Sequence, residues 1–277
     1  MIPLFNLNLI ANNVKLIDDI WYSKGTSTIS YPEEGNEICF QIEESSFWFN
    51  HRNSVILDLI KKFPPKDCIF DIGGGNGFVT KLMNDCGYET FLVEPGIQGI
   101  KNAKRRGIAN LLCSTFGDAQ FKKGCISAIG IFDVLEHMEN DLDFLKELLW
   151  HLETEGILYL TVPAYQFLWS QEDNFAGHYR RYTLSTLTKL LVDSGFKIRY
   201  KTYFFSFLPI SIFLFRTLPY KLFHSKKRNI QINEHSQNKG LFSIIINFLL
   251  KKERQRLNDL EIIPFGGSCI VVAQKLI

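Results

Sequence analysis

At 277 residues, 46% hydrophobic and 22% charged, the chain is long and apolar enough to bury a sizeable core in one large domain, and it does not have the composition of a disordered protein. Its six cysteines (Cys39, Cys68, Cys86, Cys113, Cys125, Cys269) are scattered, with no C-x-x-C pair and no histidine cluster, which argues against a disulfide framework or a structural zinc site and for a reducing, cytoplasmic setting. The net charge of +2 hides an asymmetry: residues 196–263 carry 13 Lys/Arg against four Asp/Glu, a basic span that suits either an anionic partner or a merely solvated face.

In chain order, the opening MIPLFNLNLIANN lacks a basic flank and a cleavage site, so it does not read as a signal peptide. Residues 17–40 are polar-aromatic with a turn expected at Pro32, and no element is assigned to them. Phe47, Trp48 and Phe49 stand beside His51 and Arg52. They lead into the helical spacing Val55, Ile56, Leu59, Ile60, Phe63, which Pro64 and Pro65 end. CIFDI (68–72) is a short apolar run suited to a buried parallel strand, and FVTKLMNDCG (78–87) is a helix stopped by Gly87. Strand, helix and strand follow at 90–94, 97–106 and 108–113. The alternation continues through a strand at 125–132, a helix at 141–152 and a strand at 156–163. A helix at 185–196, a strand at 197–205 and a last strand at 269–274 complete it. Such alternation calls for an α/β fold, a doubly wound and mostly parallel sheet covered on both faces, with ligands beyond the carboxyl ends of its strands.

The first strand runs straight into FDIGGGNGF (70–78). Removing Cβ permits positive φ and lets a ligand lie against the main chain, at the opening of a helix whose amides favour electron-rich groups. The dinucleotide pattern G-x-G-x-x-G is not met, because its last position is Phe78; the motif is G-x-G-x-G. With Asp71 before it and Glu94 closing the next strand, the pattern resembles the class I S-adenosylmethionine-dependent methyltransferases, from about Ser54 to Gly195 and again at the last strand. The resemblance implies a seven-strand sheet with S-adenosylmethionine as cofactor. It places Gly73, Gly74, Gly75 and Gly77 against the cofactor's amino-acid portion. Glu94 would accept from both ribose hydroxyls, and Pro95 would lie beside the adenine. Asp118 and Ala119 of FGDAQF would meet the adenine edge. IFDVLEHMEND (131–141) resembles the family's segment after strand four, which brings in Asp133, Glu136 and His137. Ile126-Ser127 stands where many relatives carry Phe-Asp.

GHYRRYT (177–183) resembles a segment of the small-molecule subgroup that faces the acceptor. His178 and His137 are the candidate bases, and Arg180, Arg181 and Tyr182 the candidate acceptor contacts, the arginines as bidentate grips on phosphate or carboxylate. Read structurally, the same arginines pin the loop through Glu172 or Asp173, and His137 only holds main chain. Arg52 is placed to meet the cofactor's carboxylate. No metal-ligand set stands out in the sequence, which disfavours a metal-assisted mechanism.

Residues 207–263 are an insertion that the common fold does not need. It consists of SFLPISIFLF (206–215), the basic HSKKR (224–228), LFSIIINFLL (241–250) and KKERQR (251–256). Its longest uncharged run, Thr202 to Phe215, has 14 residues, short of the ~20 that span a bilayer. Two apolar helices with cations fit a lid over a lipid- or glycan-linked acceptor, a peripheral contact at the inner membrane face, a homodimer interface, or plain packing on the sheet edge. The expected organisation is a helical or irregular cap at 1–53, a core of 54–206 with 264–277, and the insertion between. Transfer of a methyl group to an oxygen or nitrogen is the expected activity, with an aminopropyl-type transferase or a non-catalytic scaffold as the rivals. Nucleic acid is not an expected partner, since the basic span is mixed with aliphatic runs and lacks a stacking platform.

Overall fold

A computed structural model describes residues 6–25, 33–223 and 241–276; Pro32 and the HSKKR run lie outside them. The strands are β1 (Val14–Ile17), β2 (Ile20–Ser23), β3 (Ile69–Ile72), β4 (Thr90–Val93), β5 (Leu111–Cys113), β6 (Ile126–Phe132), β7 (Leu152–Pro163), β8 (Phe196–Phe204) and β9 (Ser268–Lys275). They form one sheet in the order β1-β2-β5-β4-β3-β6-β7-β9-β8. From β5 to β7 the strands are parallel, and β9 runs antiparallel between β7 and β8.

The seven strands from β5 to β8 are those expected from the alternation. The hairpin β1-β2 was not expected; it adds two strands by pairing β2 parallel to β5. Its tight turn has positive φ at Asp18 and Asp19 (48° and 62°). β1 is mostly exposed, so no apolar run marks it in the sequence.

Helices α1 (Glu33–Ile42), α2 (Phe47–Lys62), α3 (Phe78–Asp85), α4 (Ile97–Arg105), α5 (Asp141–His151), α6 (Gln171–Ala176) and α7 (Leu184–Asp193) surround the sheet. Alternate residues of the central strands feed opposite layers. Phe70 and Ile72 share a core with Leu145 and Leu148 of α5 and Leu187 of α7, while Ile69 packs with Val55 and Leu59 of α2 and Met83 of α3. α2 begins at Phe47, two turns before the periodic stretch, because the Ser46 side chain caps it.

The insertion holds α8 (Leu208–Ile212), a π-helical turn Phe213–Thr217, α9 (Leu218–Phe223) and α10 (Leu241–Asn258). KKERQR is the last part of α10 rather than a separate flank. α10 is anchored on the core by Glu253, which accepts from the amides of Phe205 (2.7 Å) and Ser206 (2.6 Å) and pairs with His51 (2.9 Å). Arg254 adds an ion pair with Asp58 of α2. Ile210, Phe215, Ile244 and Phe248 remain largely exposed on these helices. No helix of the described residues is long and apolar enough to cross a membrane.

Candidate functional site

A cavity of about 900 Å³ opens beyond the carboxyl ends of β3, β4, β6 and β7. One half is built on the glycine bend between β3 and α3. Gly75 has φ +55°, which favours glycine, while its absent Cβ would have only Asn36 near it, at 3.8 Å, so the space beside it is open. Gly74 and Gly77 have a packing reason, since a Cβ there would lie 2.2 Å from Leu92 Cδ1 and 2.3 Å from Ile108 Cδ1, and Gly77 also has φ +73°. The bend is therefore seated on the core by two of its glycines and left bare toward the cavity by a third. Gly73, Gly74 and Gly75 line the cavity; Gly77 lies behind, as the N-cap of α3.

Glu94, at the end of β4, accepts from the Gly75 amide at 3.0 Å and the Gly96 amide at 2.7 Å. Burial pushes its carboxyl up to about 7, although those two amides pull it down. Each oxygen spends one lone pair on an amide and keeps acceptor capacity for a further donor. Asp71 accepts from Thr80 Oγ1 at 2.5 Å, and burial raises it to about 6. Pro95 lines the same half. α1 closes over the bend: Asn76 Nδ2 donates to the Asn36 carbonyl (2.8 Å) and to Glu43 (3.2 Å), and Arg106 ties Glu43 at 2.7 Å. This closure was not legible in the sequence, where α1 carried no assignable pattern.

The two halves meet at Asp133 and Arg52. Arg52 Nε sits 2.6 Å from Asp133 Oδ2, and its Nη2 donates to the Phe132 carbonyl at 3.0 Å. Asp133 has φ +59°, a left-handed conformation that a non-glycine residue adopts at a cost of order 1–3 kcal/mol and that recurs at functional sites. In the far half, Glu136 is 1% exposed and neither carboxylate oxygen finds a hydrogen-bond partner among the described residues. Burial, then the charge of Asp133, hold its carboxyl well above the usual range. The His137 and His178 rings meet edge to face with centroids 4.7 Å apart. Desolvation, then His178, push His137 down to about 4. His178 Nδ1 lies 2.9 Å from Asp173 Oδ1. Arg181 grips the same carboxylate with two donors, at 2.7 and 2.9 Å. Burial would raise Asp173, but the His178 and Arg181 bonds bring it to about 2.

Of the residues expected at the site, His137, His178, Asp133, Arg52 and Arg181 come together along this cavity. Arg180 and Tyr182 do not line it: Arg180 pairs with Asp141 at 2.7 Å, and Tyr182, nearly buried, donates to the same carboxylate at 2.8 Å. Asp118 and Ala119 also stand apart from it. A Cβ on Gly25 would lie 2.1 Å from the Asp118 carboxyl carbon, so the segment after β2 covers that side chain, and Ala119 is fully buried. The sequence presented no metal-ligand set, yet the fold gathers Glu136, His137 and His178 so that one ligating atom of each lies within 4.8 Å of the others. His178 is remote in the chain from the other two, which hides the set from any spacing rule.

A family model described as a methyltransferase domain matches residues 48–201. Among curated proteins none matches the sequence. Solved structures share the fold at low identity. Phosphoethanolamine N-methyltransferase 2 of Haemonchus contortus, in complex with S-adenosyl-L-methionine, superposes with a TM-score of 0.58 at 14% identity, over 93% of this chain and 62% of that one. A SAM-dependent methyltransferase of Thermotoga maritima gives 0.54 at 16% identity, over 87% and 95%. Another from Archaeoglobus fulgidus gives 0.50 at 16% identity, over 81% and 94%.

Proposed function

The chain belongs to the methyltransferase-domain family, and from there we propose that it binds S-adenosylmethionine in the glycine half of the cavity and passes the methyl group to an oxygen or nitrogen of a small anionic acceptor in the other half. The observation that carries this reading is the continuity of one cavity from the bare Gly75 bend and Glu94 to His137 and His178. The residues present fit the cofactor. Glu94 keeps lone pairs for the two ribose hydroxyls, and Gly75 leaves room for the main chain of the ligand. Seven acids line the cavity against Arg52, Arg181 and Arg216, a surplus of acids that suits a sulfonium cation even with burial holding Asp71, Glu94 and Glu136 above the usual carboxylate range.

Bound S-adenosylmethionine supplies an already activated methyl group, so the protein's task is alignment and exclusion of water. α1 closes one side of the glycine half through Asn36 and Glu43. Arg52, held against Asp133, is placed to meet the cofactor's carboxylate. His178 and His137 flank the acceptor space; His137, kept neutral by burial, is able to take a proton from an acceptor that arrives protonated. Arg181 acts by fixing Asp173 and through it the His178 ring, while Arg216 pairs with Glu172 at the rim.

The exposed apolar side chains of α8, α9 and α10, next to Lys221, Lys251 and Lys252, support a lipid-linked acceptor presented from an anionic bilayer surface. Resemblance to the small-molecule subgroup rests on the GHYRRYT stretch alone. The test is transfer: the intact protein is incubated with methyl-labelled donor and the polar and lipid fractions of a cell extract. Label entering an anionic product supports the reading; donor binding with no label transferred to any fraction favours a scaffold. Flotation with anionic vesicles checks the bilayer part, which fails if the protein stays at the bottom of the gradient.

A further inference from the structure

We propose that Glu136, His137 and His178 form a binding site for a divalent transition-metal cation in the acceptor half of the cavity, with positions left open toward the acceptor. The inference deepens the methyltransferase reading and rests on it for the identity of the facing group. Two imidazoles and a carboxylate are a ligand set for borderline cations such as Zn²⁺, Mn²⁺ or Co²⁺, and three protein ligands leave room for an exogenous one.

Three independent observations support the site. First, the ligating atoms already lie within 4.8 Å of one another. Ligands about 2.1 Å from a metal stand roughly 3.4 Å apart in a tetrahedral shell, so side-chain rotations of about 1 Å close the set. Second, Glu136 is a buried carboxylate whose oxygens have no hydrogen-bond partner among the described residues. Its neighbours compensate it only in part: Arg52 and Arg181 act on it through space, but their contacts go to Asp133 and Asp173, so Glu136 has no ion-pair partner of its own among the described residues. Burying such a group is expensive without a cation or a proton. Third, both rings are held from behind. His178 Nδ1 faces Asp173 at 2.9 Å, and the His137 ring bonds the main chain of Ala176. For His178 this leaves Nε2 as the free ligating nitrogen, and a ring held through a carboxylate or carbonyl is the arrangement that orients metal-bound histidines. All three residues line the cavity.

A cation held there would bind an oxygen of the acceptor, a hydroxyl or phosphate rather than an amine that is protonated at neutral pH. This favours oxygen as the methylated atom. With His137 and His178 engaged by the cation, the acceptor hydroxyl gives its proton to water instead of to His137, the new O–CH₃ bond forms as the S–CH₃ bond breaks, and the sulfonium leaves as a neutral thioether.

The experiment is a titration of the intact protein, stripped with chelator, by Co²⁺ followed in the visible spectrum and by Mn²⁺ followed by electron paramagnetic resonance. Expected is one equivalent bound per chain, weakened at least about tenfold in Glu136→Gln and in His178→Gln. S-adenosylhomocysteine binding, measured by calorimetry on the same samples, should survive in Glu136→Gln and confirms that this variant is folded. If the stripped wild-type protein takes up neither metal at millimolar concentration, or if both variants bind as it does, the site does not exist. Cation uptake without S-adenosylhomocysteine binding would keep the site and overturn the methyltransferase reading; the reverse would do the opposite.

Discussion

Replacing Glu94 by glutamine separates two consequences of one buried carboxylate. In the free protein, burial raises this carboxyl from 4.5 to about 7. Between those values the folded state holds a proton that the unfolded state has released, so stability falls as pH rises through the window and levels off above it. At 1.36 kcal/mol per pH unit, the difference amounts to about 3 kcal/mol. Glu94→Gln removes that fall, so the parent should lose about 3 kcal/mol of stability relative to the variant as pH rises from 5 to 8. Binding should respond in the opposite sense. Ribose hydroxyls donate to the ionised carboxylate, and each such bond is worth roughly 1.5–3 kcal/mol. The parent should therefore bind S-adenosylmethionine more tightly above pH 7 than at pH 5.5. The variant should bind about a hundredfold more weakly at pH 8, with its pH dependence flattened. Calorimetry across this range reads both effects. A variant that binds within threefold of the parent at every pH would refute the assignment of Glu94.

Other substitutions probe neighbouring parts. Arg52→Lys keeps the charge but loses the fork that reaches both Asp133 and the Phe132 carbonyl; we expect about 2 kcal/mol lower stability and about tenfold weaker cofactor binding, measured by denaturant unfolding and calorimetry. Tyr182→Phe deletes a hydroxyl bonded to Asp141, and should cost about 1 kcal/mol while leaving the acceptor's KM unchanged; a raised KM would return Tyr182 to the acceptor site. Glu253→Ala strips two backbone amides and His51 of their acceptor and should lower stability by about 3 kcal/mol in thermal unfolding at pH 7. Because its partners hold Glu253 below the usual carboxylate range, that contribution fades on acidification, and the parent and variant should draw together toward pH 3.

The sheet was legible because buried parallel strands such as CIFDI and TFLVE are short apolar runs between helical periods, and because the glycines sit directly after the first of them. The hairpin β1-β2 was not, since two four-residue strands, the first mostly exposed and the second buried only at Ile20 and Trp21, leave no alternation to read. Glu94 could be placed from its position at a strand end. The acid that its own environment leaves unmatched, Glu136, could not be told from Asp133 without knowing which arginine each one meets. Arg180 and Arg181 are adjacent and identical in sequence, yet the fold sends one to Asp141 at the surface and the other to Asp173 beside the cavity. The pairing of an arginine with Asp173 was among the structural readings of the sequence, whereas the contact by which Asp173 orients His178 was hidden.

The central claim is that the bend at Gly75 and the carboxylate of Glu94 cradle a sulfonium nucleoside. A crystal structure of the protein with S-adenosylhomocysteine tests it most directly. The account predicts both ribose hydroxyls within hydrogen-bonding distance of Glu94, the amino-acid end against Gly73–Gly75 near Arg52, and the sulfur facing the space between His137 and His178. Density for the ligand elsewhere, or a ribose turned away from Glu94, would contradict it.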